Sequence, residues 1–255
     1  MSNLSVIIIC KNAAKHLEAC LESVKWADEI IVLDSGSTDN TISIAKRYTK
    51  HVHITDWPGF GPQKNRALSY ATCPWVLSID ADECLSSSLQ AEIQSIVNSD
   101  RPEAAFYIQR QSYYCGKLIR HGSWAKDDCL RLFKRGTAEF TNDLIHEKLD
   151  AKGMIGKLKG ILYHQAYDTL EQVIQKMNQY SSLGADIKAA QGKRASLSQA
   201  ILHALWSFMH GYIFRLGFLD GREGFLLAVS NAEGCYYRYL KLMYLSHDFS
   251  SKKVN

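Results

Sequence analysis

The chain has 255 residues, of which 46% are hydrophobic and 22% are charged. This composition is ordinary for a globular protein and excludes the disordered and fibrous classes, and the length fits one large domain or one domain with an appendage. Thirty basic and 26 acidic residues give a net charge of +4. Seven cysteines without a CxxC pair give little support to a zinc site and favour a reducing compartment.

Apolar runs and helical patterns alternate along the first half of the chain. Residues 4–10 read LSVIIIC, a β-branched run that is typical of a strand buried on both faces. Leu17, Leu21 and Val24 then recur at helical spacing. The same alternation predicts further strands at EIIVLD, HVHI and WVLSID, with helices in TISIAKRY and GPQKNRALSYA between them.

The alternation continues beyond Ser86. A helix is predicted there from the apolar stripe of Leu89, Ile93 and Ile96, and AAFYIQRQSYY and DCLRLFKR are predicted strands of a mixed sheet. This order indicates βαβ units, so we predict an α/β fold with a mixed, mostly parallel sheet and helices on both faces. We place a boundary between a catalytic domain, residues 1–165, and a helical C-terminal region, residues 166–255.

Acidic side chains follow two of the predicted strands. Asp34 ends one strand, and Asp80, Asp82 and Glu83 follow another. Ligands of such sheets bind beyond the carboxyl ends of the strands, so these groups should share one crevice. Like charges this close repel one another, which predicts a cation beside them. The DxD pair of Asp80 and Asp82 suits a hard divalent ion such as Mg²⁺ or Mn²⁺.

These motifs resemble those of the family 2 glycosyltransferases, which are inverting enzymes of the GT-A fold. The matching stretches are SVIIICKN, VLDSGSTDNT with Asp34, and DADE with Asp80 and Asp82. Further stretches, GFGPQKNRAL, RLFKR, IHEKL and GFLDGREGF, are similar to the branch that attaches glucose to the inner core of bacterial lipopolysaccharide. The resemblance implies a UDP-sugar donor, UDP-glucose by preference, and a glycolipid acceptor sugar, a heptose of the lipopolysaccharide core.

The resemblance also implies residues that bind the donor. Asp34 would bind the nucleotide, with Asn12 and Lys64 as further candidates, and Lys64 and Arg131 are candidate helpers for the leaving nucleoside diphosphate.

The DxD would hold the metal and the donor phosphates. Asp80 and Asp82 are the implied ligands of Mg²⁺ or Mn²⁺, and His146 is a third candidate that could instead orient its neighbour Glu147.

An inverting transfer needs a general base that deprotonates the acceptor hydroxyl. We favour Glu147 in DLIHEKL as this base. Asp128 is the main alternative, and Asp127 is the next one. The ED pair that the family frequently has at this position is absent here.

The C-terminal region predicts contact with a membrane surface. Eight basic and four acidic residues lie from Lys193 onward, so this segment carries a net charge equal to that of the whole chain. Residues 200–219 are apolar, but they contain Arg215 and are interrupted by Gly211 and Gly217. We therefore expect helices that lie on the membrane interface rather than cross it. A lid over the sheet domain and a dimer interface are the alternatives.

The combined expectation is a peripheral enzyme on the cytoplasmic face of a bacterial inner membrane, with no nucleic-acid partner. The N-terminal MSNLSVIII lacks the features of a signal peptide, which agrees with that location. The alternatives are a transferase for another cell-surface polysaccharide or lipid-linked acceptor, a nucleotidyltransferase, and a non-catalytic carbohydrate or membrane adaptor. A nucleotidyltransferase typically has a Gly-rich basic loop after its first strand, which CKNAAKHLEAC does not provide.

Overall fold

The structure is a computed structural model that describes residues 3–141 and 148–251. The chain divides into two compact units, and each unit combines separate stretches of sequence. The first consists of Met1–Gln111 and Asp127–Gln165, and the second of Ser112–Lys126 and Ala166–Asn255. The functional division predicted at residue 165 stays a prediction.

Strands and helices alternate through the first half of the chain, as the sequence predicts. The elements up to residue 167 are, in chain order, β1 (Leu4–Cys10), α1 (Ala14–Val24), β2 (Glu29–Asp34), α2 (Thr41–Ala45), β3 (His51–Ile54), α3 (Phe60–Ser69), β4 (Trp75–Asp80), β5 (Glu83–Leu85), α4 (Ser87–Val97), β6 (Ala105–Tyr114), β7 (Lys117–Leu118), β8 (Asp127–Lys134), β9 (Ala138–Phe140), β10 (Leu149–Ala151) and β11 (Ile155–Tyr167).

The main sheet has the strand order β3-β2-β1-β4-β8-β6-β11-β5. The first four strands are parallel, whereas β8 runs antiparallel to both β4 and β6. Strand β1 lies between β2 and β4, and its end pairs Cys10 with Asp34 and Ile9 with Asp80. The mixed α/β fold is therefore confirmed, and the two strand-end aspartates lie on either side of β1.

The sheet buries both of its faces, which explains why β1 is apolar at nearly every position. Val6 and Ile8 point into a core that is covered by α1 and α4. Ile7 and Ile9 point to the other face, where Ala67 of α3 packs. All of these side chains are less than a tenth exposed. Burial on both faces fixes the strand register, because a shift by one residue would exchange the two faces.

Three helices dominate the second unit, namely α5 (Leu170–Ala190), α6 (Leu197–Met209) and α7 (Gly221–Ser251). Both α5 and α6 pack against α7. A π-helical turn at His210–Phe214 and a 3-10 turn at Gly217–Asp220 connect α6 to α7. Among residues 3–141 and 148–251, no helix combines the length and apolar character that a bilayer crossing needs.

Candidate active site

The carboxylate of Asp80, at the end of β4, lies between two cations. Lys64 Nζ, from α3, is 3.0 Å from Asp80 Oδ1, and Arg131 Nη2, from β8, is 2.7 Å from Asp80 Oδ2. Both basic side chains are less than a tenth exposed. The cation that the acidic cluster requires is therefore supplied by two residues, and both had been predicted to bind the donor.

Glu83 extends this ion pair into a network. Its side chain is fully buried, and one of its oxygens accepts a hydrogen bond from the backbone N–H of Asp80. Its other oxygen lies 2.8 Å from Arg131 Nη2 and 3.2 Å from Arg110 Nη1. Arg110 in turn pairs with Asp127 at 2.7 Å. Three carboxylates and three cations thus compensate one another at the carboxyl end of β4.

An irregularity in β8 lies at Arg131. Phe106 of β6 pairs with Leu132 and Tyr107 pairs with Leu130, so Arg131 is the extra residue of a β-bulge. Bulges redirect side chains and are common next to active sites. The Nε–H of Arg131 is buried and has no hydrogen-bond partner in the described part of the chain. This donor is the kind of group that an additional oxygen acceptor would satisfy.

The network determines the ionisation of Asp80. Burial alone would raise the pKa of Asp80, but the charges of Arg131 and Lys64 outweigh burial and hold that pKa well below its ordinary value. Asp80 therefore stays ionised, and the charge of Arg131 is reinforced in return, because Asp80 and Glu83 raise the Arg131 pKa against the effect of burial.

Asp82, the second carboxylate of the DxD, faces a histidine instead of this network. Its Oδ2 lies 3.6 Å from Nε2 of His164, and its side chain is 37% exposed. Strands β5 and β11 fix the pair, because His164 is in register with Glu83 and the N–H of Gln165 donates to the carbonyl of Asp82.

A carboxylate oxygen suits both Mn²⁺ and Mg²⁺, whereas the imidazole nitrogen that faces it suits a transition metal such as Mn²⁺ better than Mg²⁺. The residues therefore fit a divalent ion with two protein ligands. Within the described ranges, no group of three or more His, Cys, Asp or Glu side chains could hold a metal by itself. Further ligands would have to be water or donor phosphate oxygens, as is usual for Mg²⁺ sites.

Asp34 and Asn12 connect two loops at the ends of β1 and β2. Asp34 is fully buried, and its Oδ1 accepts hydrogen bonds from the backbone N–H groups of Gly36 and Ser37 at 2.9 and 2.8 Å. Asn12 has a left-handed backbone with φ of 51°, and its Oδ1 accepts from the N–H of Thr38 at 2.8 Å. Both residues predicted to bind the nucleotide thus shape the loops that follow β1 and β2.

The candidates for the general base occupy different settings. Asp128 is 39% exposed and lies 2.6 Å from Lys157 Nζ. Asp127 belongs to the ion network through Arg110. Glu147 and His146 lie outside the described residues.

Three further residues join the site without having been assigned a role from the sequence: Glu83, Arg110 and His164. Glu83 follows the DxD directly, so its position was a usable signal. Arg110 and His164 have no motif around them, and His164 lies on β11, a strand that the sequence pattern did not predict.

The topology and these strand-end carboxylates define a GT-A fold. The model of the family described as Glycosyl transferase family 2 matches residues 5–158. The match covers more than half of the chain and includes the strand-end carboxylates and the cations that pair with them. The chain therefore belongs to glycosyl transferase family 2.

Relatives agree with this membership over nearly the whole chain. An uncharacterized glycosyltransferase of Rickettsia prowazekii is 34% identical, over 96% of this chain and 88% of its own length. The lipopolysaccharide core biosynthesis glycosyltransferase LpsC of Rhizobium meliloti is 30% identical, over 90% of this chain and 87% of its own. Among solved structures, S. aureus TarS 1-349 aligns with a TM-score of 0.46 at 16% identity, over 99% of this chain and 92% of that one.

Replacing Arg131 by Met should destabilise the protein strongly. The change leaves the fully buried carboxylate of Glu83 and the partly buried carboxylate of Asp80 without their shared partner, and breaking a buried ion pair typically costs about 3–5 kcal/mol. The matched control is Arg47→Met, which removes an ion pair with Glu18 in which both side chains are more than half exposed and should cost less than about 1 kcal/mol. Urea unfolding of both variants measures the difference, and equal losses would contradict the role of the network.

Proposed function

We propose that the protein is an inverting hexosyltransferase that moves glucose from UDP-glucose to a heptose of the lipopolysaccharide core. The observation that carries the proposal is the set of strand-end carboxylates and buried cations around Asp80, within a family 2 chain. The acceptor is supported by the relationship to LpsC, whose name assigns it to lipopolysaccharide core biosynthesis.

Charge balance at the site supports a metal-dependent reaction. The cations Lys64, Arg131 and Arg110 are already paired with Asp80, Glu83 and Asp127. A nucleotide sugar brings the negative charge of its diphosphate to this balanced network, so a further cation is required. We assign that cation, Mg²⁺ or Mn²⁺, to Asp82 and His164. When bound, it would neutralise the diphosphate as that group leaves.

The two carboxylates of the DxD then have different tasks. Asp80 holds Lys64 and Arg131 in place at the end of β4, and the Nε–H of Arg131, which has no partner among the described residues, is a donor for an oxygen of the donor substrate. Asp82, more exposed, supplies a metal ligand. Asp34 and Asn12 fix the loops that receive the nucleotide. Preorganised charges of this kind stabilise charge that develops on a leaving group.

The acceptor hydroxyl needs a general base, and we propose Glu147, with His146 beside it as an orienting group. Asp128 is the weaker candidate because its carboxylate is engaged by Lys157. Inversion then follows from a single displacement at the anomeric carbon.

The proposed location is the cytoplasmic face of the bacterial inner membrane, where nucleotide sugars and lipid-linked core are both present. The protein would be peripheral there, and its partners would be the nucleotide sugar, the glycolipid and the membrane surface, without nucleic acid.

A donor screen tests the proposal. Purified protein with Mn²⁺ or Mg²⁺ is given UDP-, GDP- and ADP-sugars, and nucleotide release is measured with and without lipopolysaccharide core. We expect core to stimulate release from UDP-glucose. Stimulation by another lipid-linked or polysaccharide acceptor would replace the proposed acceptor. Absence of both release and UDP binding would favour a non-catalytic adaptor and contradict the proposal.

Removing either proposed metal ligand should abolish the dependence of UDP binding on Mn²⁺. Asp82→Asn and His164→Phe should each lower the UDP affinity in Mn²⁺ by at least about tenfold while leaving the weak affinity in EDTA unchanged. Calorimetric titration in the two conditions gives the ratio. The matched control is His53→Phe, at a histidine that stacks on Tyr70. A variant that keeps the wild-type ratio would exclude its residue as a ligand.

Glu147→Gln should lower turnover by about 10²-fold or more without changing the affinity for UDP, because it removes proton transfer but not donor binding. The matched comparison is Asp128→Asn, which should cost little. Single-turnover kinetics with a saturating donor measure the chemical step. The reverse ranking of the two variants would assign the base to Asp128.

A further inference from the structure

The helix α6 packs with its small side chains toward the protein. Ala200 and Gly211 are buried and Ala204 and Ser207 are half-buried, at the spacing of one helical face that continues into the π-helical turn. A helix that packs onto a protein core in water normally buries its large apolar residues instead.

The large apolar side chains of the same helix point outward. Leu202 is 65% exposed, Leu205 58% and Trp206 59%. Met209 and Phe214 continue the surface at 41% and 62% exposure. We call these five residues the apolar face. A contiguous exposed surface of this kind, on a chain whose cores are otherwise well buried, marks a site of interaction.

The next turn of the chain enlarges this surface. The 3-10 turn at Gly217–Asp220 carries Phe218 and Leu219, which are 44% and 56% exposed. The turn is held by Asp220, whose Oδ2 accepts hydrogen bonds from the backbone N–H groups of Arg120 and His121 at 3.1 and 2.7 Å. The exposed rings and aliphatic chains therefore lie on backbone that is fixed by specific contacts.

The charged residues that flank α6 in the sequence, up to residue 219, are all basic. From residue 193 to residue 219 the sequence contains Lys193, Arg194 and Arg215 and no aspartate or glutamate. Arg222 follows at 84% side-chain exposure, and its neighbour Glu223 is largely covered and pairs with it. A binding partner that fits this surface must therefore combine an apolar interior with negative charge at its own surface.

We propose that the apolar face binds the surface of an anionic phospholipid bilayer. The aliphatic and aromatic side chains enter the boundary between headgroups and acyl chains, and the basic residues contact the phosphates. Basic side chains that flank an apolar helix with an exposed tryptophan are compatible with a segment that lies in this interface. The inference rests on the peripheral location in the proposed function and deepens it by assigning the membrane contact to these side chains; it depends on neither the donor nor the acceptor.

Vesicle flotation tests the proposal. The full chain is mixed with vesicles of phosphatidylethanolamine and phosphatidylglycerol, and in parallel with vesicles of phosphatidylcholine alone. We expect binding to the anionic vesicles, weaker binding to the neutral ones, and at least about tenfold weaker binding to both for the double variant L202Q/L205Q. The matched control is Ile174→Gln on α5, which changes a side chain of 58% exposure elsewhere in the same unit.

Tryptophan fluorescence gives a second measurement that does not depend on the double variant. Lipids brominated on their acyl chains should quench the emission of the wild-type protein, and Trp206→Phe should remove most of that quenching. UDP binding by each variant serves as the check that the catalytic unit is intact, so a failure of membrane binding is distinguishable from a failure of the proposed transferase.

Two results would overturn the proposal. One is wild-type flotation by L202Q/L205Q with unchanged quenching in Trp206→Phe. The other is a dimer in sedimentation equilibrium that L202Q/L205Q converts to a monomer, with no vesicle binding by the wild-type protein. That second result would assign the apolar face to a second copy of the chain.

Discussion

The buried charges around Asp80 are the constraint on which the site depends. A buried carboxylate without a partner costs several kcal/mol, so Glu83 can be fully buried, and Asp80 partly buried, only if their cations lie at the same place. Lys64 comes from α3, Arg131 from β8 and Arg110 from β6. Correct folding of these three elements is therefore a condition for an ionised, preorganised site.

The hydrogen bonds of the candidate site divide its residues into two groups. Asp34 and Asn12 accept hydrogen bonds from the backbone of the loop that follows β2. Asp82 instead faces the side chain of His164 on β11. A signature residue of the family can thus act by shaping backbone, and its substitution would then affect the substrate indirectly.

The sequence predicted the parallel half of the fold well, because βαβ units give strong local signals. Runs such as LSVIIIC are buried on both faces, and the helices between them have clear apolar stripes. The strand-end positions of Asp34 and Asp80 followed from that alternation. The antiparallel strands β5 and β11 were not predicted, because β5 is only three residues long and β11 mixes lysines and glycines with apolar residues.

The candidate site was also predicted only in part, because some of its contacts depend on strand pairing. The sequence indicated that a cation must compensate the acidic cluster, and Lys64 and Arg131 were among its candidates for donor binding. It could not indicate His164, which reaches Asp82 only through the register between β11 and β5. The β-bulge at Arg131 could not be predicted from the sequence either, because a bulge depends on how two strands pair rather than on a local sequence pattern.

The corner between α6 and α7 consists of backbone packed on backbone. A Cβ atom at Gly217 would lie 2.7 Å from the carbonyl oxygen of Gly211, and one at Gly224 would come closer still to the carbonyl of Gly217. The tolerance to amino-acid substitution should therefore differ from position to position in this region. Neighbouring leucine, isoleucine and phenylalanine side chains can exchange with one another at little cost, while Gly217 and Gly224 tolerate no side chain at all. Which apolar side chain stands at each position of the helix surface is free to vary, but the angle at which the helix is held is not.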